Sequence, residues 1–362
     1  KFEFCKERRM EKLKYTRVEE CCEILDSMRI PITASDRKEG KYPYYGANGI
    51  QDYVNDYIFD DELVLLAEDG GNFGSKEKPI AYRVSGKCWV NNHAHVLKPK
   101  EEIDVDYLCY SLMFYKVDGM INGATRKKLT QTAMKKMKIP LRNIVEQKKI
   151  VQQLNKIIEI REKAKKELNL LDNLIQARFV EMFGDPITNS KLLPIEKIEE
   201  RYFLKAGITT KAEDIHDYLK DKYEIPCYGG NGIRGYVENL SYEGCYPIIG
   251  RQGALCGNVQ YATGKFHATE HAVLVSTLKN DNTMWVYYML KLMDLYRYHT
   301  GAAQPGLAVK KLNTIDVIVA DINLQNQFAA FVHQINKSKF EVQKSLEKTQ
   351  LLYDSLMQEY FG

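Results

Sequence analysis

The chain repeats its own plan once, and this repetition constrains the fold more than any other feature of the sequence. The segment YYGANGIQDYV at 44–54 returns as CYGGNGIRGYV at 227–237, 183 residues later. Downstream the offset becomes 178, and the Phe-Gly pair at 183–184 returns at 361–362. An offset of this length is too long for a solenoid repeat. It indicates the duplication of a whole domain together with its linker.

Each copy has two parts of different composition. The first parts, roughly 13–141 and 193–319, are rich in Tyr, Val, Ile, Gly and Asn, which is typical of strands and tight loops with short helices. The second parts have almost no Gly or Pro, and their apolar residues recur at spacings of three and four. That spacing predicts long helices with a coiled-coil seam.

The sequence therefore predicts an α+β fold. Two similar α/β recognition domains are separated by two long helices that form an antiparallel coiled coil, in a pseudo-two-fold repeat. The predicted bounds are 1–141 for the first domain, 142–183 for the first helix, 184–319 for the second domain and 320–362 for the second helix.

The alternative to a coiled coil is an amphipathic helix packed on its own domain. Helix length favours the coiled coil, because forty residues at about 1.5 Å each make a rod of about 60 Å, longer than a small domain is wide. The seam residues predicted from the spacing are Ile150, Leu154, Ile157, Leu168, Leu171, Ile175, Phe328, Val332, Ile335, Val342, Leu346 and Tyr353.

Composition excludes several classes of protein. No run approaches the length of apolar sequence that spans a membrane. The charged segment KFEFCKERRMEKLKY at 1–15 lacks the apolar core of a secretion signal, so a cytoplasmic protein is expected. The eight cysteines form no C-x-x-C pair, and the histidines at 93, 95, 267 and 271 lack the thiolate partners of a closed zinc site. No metal site is predicted.

The order of the motifs resembles the specificity subunit of type I restriction-modification enzymes. The motifs are YYGANGI and CYGGNGI near the start of each domain, MKIPLRNIVEQKKIVQQL leading into the first helix and RFVEMFGDP closing it. The resemblance covers essentially the whole chain. The second copy departs from it, because VIVADINLQNQ lacks the Pro and the Glu of the first.

The resemblance implies a non-catalytic subunit that binds double-stranded DNA. Each domain would bind one half of an asymmetric, bipartite target. The helices would act as a spacer and as a docking surface for two methyltransferase subunits, and two motor-nuclease subunits would join them. S-adenosylmethionine, ATP and magnesium are expected in those partners, and no cofactor is expected in this chain.

The absence of known catalytic motifs from the sequence agrees with the hypothesis of a non-catalytic subunit. The sequence contains no Walker A motif and no [DN]-P-P-[YF] adenine-methylation motif, and no carboxylate–lysine cluster of a nuclease recurs in either copy. No catalytic residue is predicted. Two alternatives stay open: a specificity subunit of a methylation-only or type II-like system, and a coiled-coil scaffold that binds something other than DNA.

Candidate DNA contacts come from basic and amide side chains near the glycine-rich loops. Cations give affinity through phosphates, while groove contacts give specificity. The framework repeats but these exposed positions differ between the copies, which predicts two different half-sites. The candidates are Lys76, Lys78, Arg83, Arg126, Lys127 and Lys128 in the first copy and Arg234, Arg251, Gln252 and Gln304 in the second.

Overall fold

The computed structural model describes residues 13–75, 77–123, 126–219, 223–301 and 305–362. The chain divides into two compact units. Unit 1 comprises Lys1–Lys163 and Leu346–Gly362, and unit 2 comprises Ala164–Ser345. Each unit therefore holds one globular domain and a part of each of two long helices.

The domain of unit 1 is built on a six-stranded sheet. Its strand order is β2-β7-β5-β6-β3-β4, and its pairs are antiparallel except that β3 lies parallel to β6. A separate pair, β1 with β10, joins the beginning of the domain to its end, and β8 pairs with β9 in a short hairpin. The strands are β1 (Lys14–Arg17), β2 (Cys22–Ile24), β3 (Glu39–Gly46), β4 (Gly49–Val54), β5 (Phe59–Ala67), β6 (Ala81–Val90), β7 (Ala94–Pro99), β8 (Ile121–Asn122), β9 (Lys128–Leu129) and β10 (Lys138–Leu141).

One face of this sheet is covered by helices. The Asp104 carboxylate accepts from two backbone N–H groups and caps α2, whose buried residues form one core cluster with the sheet. Ile150, Leu154 and Ile157 of α4 belong to the same cluster. The helices that begin in this unit are α1 (Val18–Cys21), α2 (Val105–Met113), α3 (Gln131–Lys135) and α4 (Ile144–Phe183).

Unit 2 repeats this architecture. Its sheet has the order β12-β17-β15-β16-β13-β14, which matches the order in unit 1 strand for strand. The strands are β11 (Ile195–Lys197), β12 (Tyr202–Ala206), β13 (Ile225–Gly229), β14 (Gly232–Val237), β15 (Tyr242–Gly250), β16 (Val259–Ala268), β17 (Ala272–Thr277) and β18 (Asp316–Ile318), and the helices are α5 (Ile198–Arg201), α6 (Thr283–Leu292), α7 (Val309–Asn313) and α8 (Ile322–Phe361).

The shift in repeat offset lies in one loop. The connection from β5 to β6 covers 68–80, whereas its counterpart from β15 to β16 covers only 251–258. Lys78 lies in the longer loop.

A buried glutamine docks the start of each long helix. The Gln147 side chain is fully buried; it accepts from the Asp104 N–H at 2.8 Å and donates to the carbonyls of Glu102 and Arg142. In unit 2 the buried Gln325 accepts from the Asn282 N–H at 2.8 Å and donates to the Ala320 carbonyl and to an oxygen of the Asp281 carboxylate. The second copy thus keeps the glutamine although it lacks the Pro and Glu of the first.

Within each unit the two long helices run antiparallel. In unit 1 the Arg142 guanidinium donates to the Tyr360 carbonyl, and Arg161 lies over the Tyr353 ring. In unit 2 the Lys339 ammonium is 2.5 Å from an oxygen of Asp172, and the ring centroids of Phe179 and Phe328 are 5.4 Å apart. In both sets of contacts, residues of increasing number along α4 contact residues of decreasing number along α8. The predicted fold class, with two similar domains and two paired long helices, is confirmed.

The helix ends also contribute to the domain cores. Ile175, Phe179 and Phe183 of α4 belong to the same buried cluster as Trp285 and Phe328 in unit 2. The two alternatives for the long helices, pairing with each other and packing on a domain, therefore occur together within each unit.

Candidate nucleic-acid interface

Four backbone segments meet at one end of the unit 1 sheet. We call them the loop site of unit 1: residues 46–49, 68–71, 91–95 and 126–131. The Leu129 N–H donates to the Glu68 carbonyl at 2.7 Å, and the Glu68 N–H donates to the His93 carbonyl at 2.9 Å. The Asn48 side-chain amide donates to the Gly70 carbonyl at 2.9 Å.

Unit 2 has a loop site with the same backbone bonds, formed by residues 229–232, 250–253, 269–273 and 305–307. The Leu307 N–H donates to the Arg251 carbonyl at 2.8 Å, and the Arg251 N–H donates to the His271 carbonyl at 3.1 Å. These bonds identify the equivalent positions. Glu68 corresponds to Arg251, Asp69 to Gln252, Lys128 to Gly306 and Leu129 to Leu307.

Two glycines allow the segments of unit 2 to approach. A Cβ atom built on Gly250 would lie 2.2 Å from the Gly230 carbonyl oxygen, and one on Gly230 would lie 3.1 Å from the His271 carbonyl oxygen. A side chain at Gly250 would therefore displace the backbone of the neighbouring segment. The glycine-rich sequence of these loops reflects close packing of backbone on backbone.

The loop site of unit 1 pairs carboxylates with cations. An Nη2 atom of Arg126 is 2.8 Å from Asp69 Oδ1, and the Lys128 ammonium is 3.0 Å from Glu68 Oε1. Burial alone would raise the pKa of Glu68, but hydrogen bonds from Arg29 and Lys128 hold it below its ordinary value. Two of the three predicted basic contacts in this segment are thus already paired with acids, whereas Lys127 is exposed.

A second layer lies beneath these pairs. His95 is fully buried, with Nδ1 2.7 Å from Asp26 Oδ2 and Nε2 2.9 Å from the Leu129 carbonyl oxygen. Burial would raise the pKa of Asp26, but hydrogen bonding to His95 holds it below its ordinary value. Potential ligand atoms of Asp26, Glu68 and His95 lie within 4.8 Å of one another. The Arg29 guanidinium already pairs with both carboxylates, so we interpret the group as an ion-pair cluster.

The loop site of unit 2 carries its positive charge elsewhere. Arg251 is half-buried, and its side chain has no hydrogen-bond or ion-pair partner among the residues that the structure describes. Gln252 beside it is exposed and forms an isolated bridge with Gly306 through the backbone. Arg234 is exposed on β14, and its side chain approaches Gly229 in the adjoining strand.

The other predicted contacts are placed differently. Arg83 lies in the middle of β6 opposite Val64, with Nε 3.1 Å from Asp106 Oδ1 and a second ion pair to Glu62. It is outside the loop site and is committed to these pairs. Lys78 is exposed in the long 68–80 loop. Lys76 and Gln304 lie outside the described residues.

Sequence reasoning missed the acidic half of the unit 1 site. The signal was present, because the strand-end pair Glu68-Asp69 corresponds to Arg251-Gln252 in the other copy. At the same two backbone positions, the first copy therefore has two carboxylates and the second has a cation and an amide. Of these residues, only Arg251 and Gln252 were predicted as DNA contacts.

The predicted seam residues vary in burial along the helices. Those near the domains are buried, whereas those near the middle of each helix are only half-buried. The buried members are Ile150, Leu154, Ile157, Ile175, Phe328, Val332 and Tyr353, and the half-buried members are Leu168, Leu171, Ile335, Val342 and Leu346.

In the described part of the chain, no helix combines the length with the apolar character needed to cross a membrane. The two helices of forty residues are long enough, but charged residues recur along both.

Comparison with known proteins gives concordant matches. A family model described as the type I restriction modification DNA specificity domain matches residues 10–170 and 204–351. Over 133 residues the chain is 46% identical to the EcoprrI type I restriction enzyme specificity subunit of Escherichia coli, which covers 37% of this chain and 33% of that protein. Over 138 residues it is 37% identical to the putative type I specificity subunit S.HindORF215P of Haemophilus influenzae, covering 38% and 35%. The chain thus spans about a third of the length of the curated relatives it matches.

Solved structures share the fold over nearly the whole chain. The S subunit of a type I restriction-modification system from M. genitalium has a TM-score of 0.65 at 16% identity, covering 98% of both chains. A chain from another type I R-M system, solved for its complex assembly and conformational transition, has a TM-score of 0.56 at 13% identity, covering 96% of this chain and 97% of that one. At these identities the likeness concerns the fold.

Proposed function

The chain belongs to the family of type I restriction-modification DNA specificity proteins, and from that premise we propose that it selects the DNA sequence on which a type I complex acts. Each unit binds one half of an asymmetric, bipartite double-stranded target through its loop site. The chain directs the chemistry and performs none of it.

One observation carries this proposal. The two loop sites share the same backbone hydrogen bonds, but Glu68-Asp69 with Arg126 and Lys128 in unit 1 is replaced by Arg251-Gln252 with Gly306 in unit 2. A shared backbone with different polar side chains is what two readers of different base sequences require. Arginine and amide side chains pair with guanine and adenine edges respectively, and carboxylates accept from cytosine amino groups.

The long helices supply the remaining parts of the proposal. They set the unread gap between the half-sites and offer their exposed faces to two methyltransferase subunits, which supply S-adenosylmethionine. Motor-nuclease subunits, which use ATP and magnesium, complete the complex that cuts DNA. Exposed apolar side chains on these helices, including Leu170, Phe340 and Leu351, are suited to such docking.

Methylome sequencing tests the proposal directly. Cells with the intact system and cells lacking this chain are compared, and loss of one asymmetric bipartite adenine-methylation motif is expected. Unchanged methylation would contradict the proposal.

A domain exchange then tests the independence of the units. Replacement of residues 13–141 by the first recognition domain of another family member is expected to change one half of the motif only. A change in both halves would show that the units do not read separately.

A binding experiment distinguishes a DNA-binding protein from a scaffold that binds something other than DNA. Binding of the purified chain to mixed duplexes is measured at several salt concentrations, because phosphate contacts weaken as the salt concentration rises.

A further inference from the structure

The proton count at His95 can be derived from its two partners. Nδ1 lies 2.7 Å from an Asp26 oxygen, and Nε2 lies 2.9 Å from the Leu129 carbonyl oxygen. A carbonyl oxygen only accepts, so Nε2 must donate. Both Asp26 oxygens also accept N–H groups, Oδ1 from Val96 and Oδ2 from Gln131, as an ionised carboxylate does, so Nδ1 must donate as well. His95 therefore carries a proton on each nitrogen and is a buried imidazolium.

The charged groups around this imidazolium come from three segments. Asp26 lies in a short 3₁₀ turn and Arg29 follows it, Glu68 follows β5 and Lys128 lies in β9. Arg29 contacts Glu68 Oε2 at 2.6 Å and Asp26 Oδ2 at 3.6 Å, and Glu68 Oε2 is 3.6 Å from His95 Nδ1. The Lys128 ammonium contacts Glu68 Oε1 at 3.0 Å. Two carboxylates thus lie among three cations.

The cluster holds the basic segment of the loop site. Leu129 is fixed on both sides, because its carbonyl accepts from His95 and its N–H donates to the Glu68 carbonyl. Gln131 adds a bond of 2.9 Å from its side-chain amide to Asp26 Oδ2. The residues directly before this anchor are the cations at 126–128. At the rim, Arg126 and His93 share the Asp69 carboxylate.

We propose that His95 is a positioning residue for DNA binding: its ring, which donates from both nitrogens, docks segment 126–131 in the loop site. This rests on the proposed function and deepens it by naming what orients one of the two readers. A side chain at this position that lacks one of the two donors leaves either the Asp26 carboxylate or the Leu129 carbonyl without this partner, so docking weakens.

Unit 2 lacks this device and serves as the internal reference. The positions of His95 and Asp26 are taken by Val273 and Ala206, which pair in its sheet. Its own buried histidine, His267, bonds to the hydroxyl groups of Thr210 and Ser241, which can donate as well as accept. Burial lowers the pKa of His267, so a neutral ring suits that site. This anchor is therefore confined to the half-site that unit 1 reads.

Three variants of the full chain test the proposal. His95→Gln has an amide donor for the Leu129 carbonyl but no charge. Asp26→Asn replaces one of the two accepting oxygens by a donor, so it cannot accept from Val96, Gln131 and His95 together. His267→Gln is the matched control, a buried histidine of the other unit. Thermal melts of all three establish that each variant folds.

The first readout is hydrogen exchange of amides 126–131 in the free chain, expressed as protection relative to the intrinsic rate. His267→Gln is expected to keep the protection of the original chain. His95→Gln is expected to lose at least about tenfold, and Asp26→Asn is expected to lose protection in the same amides.

The second readout is affinity for a duplex carrying the motif defined by methylome sequencing, with each half-site scrambled in turn. His95→Gln is expected to weaken binding about tenfold when the unit 1 half-site is present and to have no effect when that half-site is scrambled. Undiminished protection in His95→Gln or in Asp26→Asn overturns the proposal, and Asp26→Asn decides alone if His95→Gln does not fold. Absence of any DNA binding overturns the proposed function, whatever the exchange result.

Discussion

The replacement of Phe179 by alanine tests whether α4 is part of the unit 2 core. Phe179 is fully buried, and its ring centroid lies 5.0 Å from that of Phe183, 5.4 Å from that of Phe328 and 6.4 Å from that of Trp285. The contact to Phe328 is edge-to-face and joins α4 directly to α8.

The expected loss follows from the size of the side chain and its surroundings. Truncation of a buried Phe to Ala costs about 3–5 kcal/mol, including the cavity that it leaves. The edge-to-face ring pair accounts for about 0.5–1.5 kcal/mol of that. One kcal/mol shifts Tm by about 2–4 °C in a unit of this size, so a fall of about 6–20 °C is expected.

Two measurements on the full chain check this value. Scanning calorimetry gives the shift in Tm, and hydrogen exchange gives the opening free energy of amides in Ala164–Ser345 separately from the rest. Val180→Ala is the matched control, because Val180 is adjacent on the helix and 44% exposed, and its truncation is expected to cost less than about 0.5 kcal/mol. A loss below about 1 kcal/mol for Phe179→Ala, or equal losses for both variants, would refute the packing described here.

Three further predictions concern binding, spacing and pH. Arg126→Ala is expected to lower the slope of log affinity against log salt by about 1, measured on a duplex with an intact unit 1 half-site; an unchanged slope would show that Arg126 stays with Asp69 and contacts no phosphate. Insertion of one heptad into both α4 and α8 keeps the apolar face in register and lengthens each helix by about 10 Å. Methylome sequencing is therefore expected to show a gap wider by about three base pairs, with both half-sites unchanged. Altered half-sites would contradict a spacer role. Asp26 and Glu68 have pKa values below their ordinary range, so the stability they contribute is present above about pH 4.5 and is lost as pH falls through their folded values; denaturation at several pH values should show a shallower acid loss in the Asp26→Asn, Glu68→Gln double variant than in the original chain.

Much of the architecture follows from local sequence signals. The predicted first helix at 142–183 is observed as Ile144–Phe183, and the second at 320–362 as Ile322–Phe361. Both begin after a residue whose side chain caps the first turn, Asn143 and Asp321 respectively. Such signals are local, because capping and helical periodicity act over a few residues and do not depend on the rest of the chain.

The candidate site was predicted less completely. The basic segment 126–128 and the Arg251-Gln252 pair lie in the two loop sites, but Arg83 lies in mid-sheet and is bound to two carboxylates. Periodicity and charge density identify which residues are available for contact. They do not identify which cations are already neutralised by acids from distant parts of the chain.

The sequence by itself determined the duplication, the alternation of domain and long helix, and the difference between the two copies at equivalent positions, because each of these is encoded in neighbouring residues or in direct comparison of the copies. Only the tertiary structure decided the pairing of Asp26 with His95 and of Glu68 with Lys128, whose members are 60 or more residues apart. The physical reason is that a side chain's charge state and orientation depend on every group within a few ångströms, and those groups become neighbours only when the sheet brings strand ends together.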